Sequence, residues 1–255
     1  MSKRELSSRF NQYGLSRHIP APIAKEIRQR CGFGCVICGS MIYTYHHVDP
    51  PFEEARKHDP QSIVLLCGDC HARATKKVLS NDTIRKAANN PKCLEKGFSH
   101  FQLDVGVQFP TILLGNSTFV GNPTIIRAFG KSLFMIEPPE QNGGPFRISA
   151  VFYNREGKKT CRIIQNEWQG FASNWDITSI GNEITVRQDH GDIVFRMYSD
   201  PPTRLIVDRL DMFYRGYKVV VKEDGQTSMY LPDGSMWFRL NGASFIGNEA
   251  VIVID

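Results

Sequence analysis

No apolar run in the sequence reaches the length of a membrane-spanning helix, and its opening residues, MSKRELSSRF, lack the apolar stretch of a secretion signal. A membrane protein and a secreted one are both disfavoured, and residence in the cytoplasm is expected. The regular cysteine pairing of a secreted disulfide scaffold is missing as well. Of seven cysteines in 255 residues, four fall into two Cys-x-x-Cys pairs, Cys35/Cys38 and Cys67/Cys70, while Cys31, Cys93 and Cys161 are scattered. That usage fits metal-bound thiols in a reducing compartment. Nor is the charge extreme: 31 Lys and Arg against 26 Asp and Glu give a net +5. The modest total hides an asymmetry, because residues 1–98 carry 16 basic against 9 acidic side chains, a net of +7, and the remainder carries 15 against 17, a net of −2. Excess positive charge therefore lies with the cysteine pairs and suits a polyanion such as nucleic acid.

With 41% hydrophobic residues and a length within reach of two domains, the chain can bury sizeable cores. Residues 1–20 have few apolar anchors and read as a loosely held arm. Ile23 and Ile27, four apart and stopped by Gly32, predict a short amphipathic helix. Residues 41–48 and 62–67 read as strands. HARATKKVL, from His71, reads as a helix carrying Arg73, Lys76 and Lys77, and residues 80–91 as another, capped by Ser80 or Asn81. Residues 92–104 read as a connection, with the domain boundary at about 98–104, giving domains 1–98 and 99–255.

Beyond the boundary the texture is that of strands and turns, with no helix pattern, and a repeat is visible. Gly121-Asn122 recurs as Gly181-Asn182 and Gly247-Asn248, and Phe152-Tyr153 as Phe213-Tyr214. Gly-Asn between apolar stretches suits a tight hairpin. The expected fold class is α+β: a small N-terminal metal module followed by an all-β domain, a duplicated β-meander of about 60 residues in a sandwich or barrel, sealed by AVIVI. Trp168, Trp175, Tyr214 and Trp237 are candidates to line a cleft there, or to fill its core.

Two Cys-x-x-Cys knuckles separated by 28 residues are a strong signature of a tetrahedral structural zinc site. Between and after them stand His46-His47 on a strand and His71 beside Cys70. Adjacent strand residues face opposite ways, so one imidazole can hold a metal while the next addresses water.

Over about residues 17–79, the combination of Cys35-x-x-Cys38, His46-His47-Val48-Asp49-Pro50, Ile63-Val64-Leu65-Leu66-Cys67 and Cys70-His71 resembles the HNH endonucleases, the His-Me finger or ββα-metal nucleases with two zinc knuckles. The resemblance implies a ββα-metal module stapled by zinc. It also implies His47 as general base, His46 and His71 as ligands of a catalytic Mg²⁺ or Mn²⁺ (Zn²⁺ or Ni²⁺ being alternatives), and 5′-phosphate and 3′-hydroxyl products. Ser62 stands where that family usually has the asparagine that orients the base, with Gln61 beside it. Arg73, Lys76 and Lys77 are the expected phosphate contacts.

The leading expectation is thus a metal-dependent DNA endonuclease, with RNA left open, acting in restriction or phage defence. The β domain is expected to control target choice, a small-molecule activator or a homodimer. The alternative is a zinc-dependent nucleic-acid-binding protein in which Ser62 has abolished cleavage.

Overall fold

The computed structural model describes residues 9–254 and divides the chain into two compact units, residues 1–100 and 101–255. In the first, helix α1 (Ala21–Arg30) starts at a proline-bearing first turn and buries Ile27 completely. Strand β1 (Thr44–His47) pairs antiparallel with β2 (Ile63–Leu66), His46 lying opposite Val64 and His47 opposite Ile63. All four β2 residues are buried and form one core with Ile27, Val36, Val48 and Ile84. Helix α2 (Gly68–Thr75) follows β2 at once, and helix α3 (Asn81–Asn89) is capped by Ser80, whose Oγ accepts from Thr83 N at 3.2 Å.

Three expectations are corrected here. Helix α2 starts at Gly68, not at His71, because Cys67 serves as its N-cap. It also ends at Thr75: Lys76 is the C-cap, and Lys77 has a left-handed backbone with φ 59°. Of the three basic residues expected on this helix, only Arg73 lies on it. Residues 92–104 are structured, as helix α4 (Lys92–Lys96) and strand β3 (Phe98–Gln102). The arm is tied down over its described part. Asn11 Nδ2 donates to the carbonyls of Phe52 and Ala55, both at 2.6 Å, and Gln12 Nε2 to Glu53 O at 2.9 Å; residues 1–8 lie outside the described residues. The anchor is polar, so a search for apolar residues does not see it.

In the second unit every described element is a strand. These are β4 (Thr111–Leu114), β5 (Ser117–Val120), β6 (Thr124–Ala128), β7 (Lys131–Glu137), β8 (Arg147–Tyr153), β9 (Lys159–Ile164), β10 (Glu167–Phe171), β11 (Asp176–Ile180) and β12 (Glu183–Asp189). They continue through β13 (Asp192–Asp200), β14 (Arg204–Tyr214), β15 (Tyr217–Val221), β16 (Thr227–Tyr230), β17 (Met236–Leu240), β18 (Ser244–Ile246) and β19 (Ala250–Ile254). Strands β6 to β10 make one antiparallel meander and β11 to β17 another. Both sheets are open, so no barrel closes. Phe152 of the first meets Phe195 of the second with ring centroids 4.6 Å apart.

The Gly-Asn repeat marks two different corners. Gly181, with φ 60°, turns the expected hairpin between β11 and β12. Gly121 and Gly247 instead carry two parallel chains together from one sheet to the other. Strand β5 runs parallel to β18 before the corner, and β6 parallel to β19 after it. Buried Asn122 fixes the crossing by donating its Nδ2 to Asn248 O at 3.2 Å. A hairpin and a paired crossing both need glycine's left-handed φ, so sequence does not separate them. AVIVI is β19, added parallel along β6. Trp168 is fully buried, a core residue, whereas Trp237 is 45% exposed. No described helix is long and apolar enough to cross a membrane.

The turn into the first knuckle is crowded. A Cβ on Gly34 would lie 2.8 Å from Cys93 Sγ and 2.9 Å from the carbonyls of Gly39 and Ser40. Gly34→Ala is expected to destabilise the first unit by about 2 kcal/mol and to lower its melting temperature by roughly 10 °C. Calorimetry showing an unchanged transition would contradict that packing.

Candidate functional site

The four knuckle cysteines converge. Their sulfurs all lie within 4.8 Å of one another, and Cys38 Sγ and Cys67 Sγ are 3.6 Å apart. A tetrahedral ion with Zn–S bonds of about 2.3 Å would separate its sulfurs by roughly 3.8 Å, so the donor set could hold a metal ion such as zinc. Four thiolates without a cation would repel one another. Cys35 is accordingly drawn down to about 5 by the Cys38 thiol beside it, while burial and the neighbouring sulfurs push Cys70 up to about 12. A bound dication removes that conflict by holding all four as thiolates. Burial, with a smaller push from neighbouring cysteines, raises Cys31 to about 11 and Cys93 to about 12, consistent with inert packed thiols outside the cluster.

The histidines meet beside this staple. The pairing of β1 with β2 fixes His46 and His47, and the first turn of α2 supplies His71. The rings of His46 and His71 stand edge to face with centroids 5.1 Å apart. The cysteines are the one group of three or more potential ligands assembled among the described residues. A cation at His46 and His71 would therefore take two protein ligands and leave its other positions to solvent or phosphate. The pair opens into a cleft of about 850 Å³ that is also lined by Arg17, His47, Lys77 and Asn81. Burial lowers the pKa of His46, with His71 adding to the effect. His47 is lowered to about 4, first by burial and then by His58, His46 and Arg17.

Several residues take places that the sequence did not announce. Ser62 bonds to the strand through its backbone, its carbonyl accepting from Val48 N at 2.9 Å. The ring nitrogen that meets His47 belongs to His58: Nδ1 of His58 lies 3.3 Å from Nε2 of His47. Gln61, exposed, donates its N to Asp59 Oδ1. Arg17 reaches the cleft from the arm, its guanidinium 4.3 Å from the centre of the Phe52 ring. Of the expected phosphate contacts, Lys77 lines the cleft, while Arg73 is drawn toward Asp69 at 3.8 Å and Lys76 is exposed elsewhere on the surface. His58 had a faint signal, a histidine eleven residues after His47 in the charged loop EEARKHDP, and Arg17 had none.

Compared with family models, with curated proteins and with solved structures, the chain matches none.

Two outcomes follow from this geometry. Purified protein is expected to carry one zinc per chain, and Cys67→Ser to remove both the metal and the cooperative unfolding of the first unit, since zinc supplies on the order of 10 kcal/mol in small sites of this kind. Zinc content unchanged by the substitution would refute the assignment. At pH 5.5 an ordinary histidine, with a pKa of about 6.5, is mostly imidazolium. A lowered pKa preserves the neutral form as pH falls, so His47 should remain neutral there when Mg²⁺ and Mn²⁺ are absent. Nitrogen chemical shifts of a protonated ring would contradict its burial.

Proposed function

We propose that this chain is a metal-dependent endonuclease of the HNH, or His-Me finger, kind that hydrolyses phosphodiester bonds of DNA. The observation that carries the reading is the edge-to-face apposition of His46 and His71, with His47 one residue on, in a cleft beside four converging thiols. The net charge of +7 on residues 1–98 adds to it, because a polyanion is drawn to the half that holds the cleft.

In this reading His46 and His71 hold a divalent cation such as Mg²⁺ or Mn²⁺ through neutral imidazole nitrogens. When bound, that ion supplies Lewis-acid stabilisation of the phosphodiester oxygens. His47, kept neutral by its surroundings, takes the proton of the attacking water. Arg17 and Lys77 present cationic groups to the phosphate backbone, which positions a strand without reading its sequence. The ββ pair and α2, held by the thiol cluster, keep the three imidazoles at fixed separations. The all-β unit is assigned the choice of target, an activating small molecule or a second copy of the chain, in a nuclease of the restriction or phage-defence kind. A second reading, zinc-dependent binding of nucleic acid without cleavage, rests on the departure at Ser62.

Plasmid DNA incubated with the protein and Mg²⁺ or Mn²⁺ should be nicked and linearised, and His47→Ala should slow this by about 10²- to 10⁴-fold. Equal cleavage by both proteins would remove the assignment. Binding that weakens steeply with salt, with no cleavage under either metal, would instead select the second reading.

A further inference from the structure

Loop residues 52–58 bring a second imidazole against the one read as the base. His58 is only 9% exposed, its Nδ1 is 3.3 Å from His47 Nε2, and its own Nε2 is buried with no hydrogen-bond partner. The two rings are tilted by 49° with centroids 5.5 Å apart, and Phe52 closes on His47 edge-on at 5.3 Å. The loop is itself held in place, by Asn11 on the carbonyls of Phe52 and Ala55 and by Arg17 over the Phe52 ring. Burying an imidazole with one nitrogen unpaired is destabilising, so its position calls for a compensating role.

A metal shared by the pair is one conceivable role. Among the described residues, however, no third histidine, cysteine or carboxylate joins them to complete a ligand group. A hydrogen bond is left, and its direction decides what His47 can do. If His58 donated its Nδ1 proton, the basic nitrogen of neutral His47 would be Nε2, already engaged by that bond and not free to take a water proton. If His47 donates from Nε2, its Nδ1 is the bare nitrogen, and Nδ1 has no hydrogen bond to any described group.

We infer that His58 is a positioning residue: it accepts the Nε2 proton of His47, fixes that ring in the Nε2–H tautomer and leaves Nδ1 as the free basic nitrogen of a ring that lines the cleft. This rests on the reading of His47 as general base. The water proton would then go to His47 Nδ1, making it an imidazolium, while the Nε2–H bond to neutral His58 becomes charge-assisted; no proton passes to His58. The role is the one the asparagine absent from position 62 would otherwise fill, supplied here from a different element.

Long-range proton–nitrogen NMR on the zinc-loaded full chain at neutral pH reads the tautomer directly. The Nε2–H form of His47 is expected, and a predominant Nδ1–H form would overturn the inference whether or not the protein cuts DNA. Kinetically, His58→Ala should lower kcat about 10- to 100-fold with KM within about twofold, because only the orientation of the base is lost. His58→Asn, whose amide oxygen can accept the same proton, should recover most of that loss. His58→Ala at wild-type kcat, with the fold intact by circular dichroism, would also overturn it. Failure of the wild-type protein to cleave would sink the nuclease reading alone, and the NMR result would still decide what His58 does.

Discussion

Four cysteine sulfurs drawn within 4.8 Å of one another are the constraint on which the N-terminal unit depends. Its regular elements are short: four residues in each of β1 and β2, and eight in α2. A hairpin and a two-turn helix are marginal by themselves in water. Cys67 belongs to the cluster and is also the N-cap of α2, so the same sulfur fixes the metal set and the start of the helix. Because His71 sits in that helix's first turn and His46 on the strand opposite β2, fixing the start of α2 against β2 also fixes the separation of the two imidazoles. In the proposed function, structural and catalytic roles would divide between neighbouring groups of different chemistry, soft thiolates for one ion and imidazoles for another.

The cleft is finished by elements outside the ββα unit. The N-terminal arm, pinned by Asn11 and Gln12, carries Arg17 to it, and the loop after β1 returns to place His58 behind His47. Polar contacts hold both. The second unit is organised differently, by strand pairing around an apolar core, with two parallel strand pairs crossing between its sheets at Gly121 and Gly247.

Most of the first unit was legible because its signals are local. Cysteine spacing, alternation around His46 and His47, and the Ser80 cap each act within a few residues. The β repeat was legible as positions but not as pairings: Gly121 and Gly181 look alike in sequence and share a left-handed φ, yet partner choice depends on β18 and β19, more than 120 residues after Gly121. His58 and the anchored arm stayed hidden for a related reason. A single histidine in a charged loop has no period, and the anchor that Asn11 makes runs to two carbonyls more than 40 residues away. Ser62 lies within the motif region, whereas His58, the residue that meets His47, approaches from the loop outside it.

The proposed nuclease activity requires a second cation, distinct from zinc, held between His46 and His71. Pulsed electron paramagnetic resonance on zinc-loaded protein given one equivalent of Mn²⁺ addresses it most directly. Couplings from two directly bound imidazole nitrogens are predicted, one of them lost in His71→Ala while the zinc content stays the same. A spectrum of fully hydrated Mn²⁺ with no nitrogen coupling would contradict it.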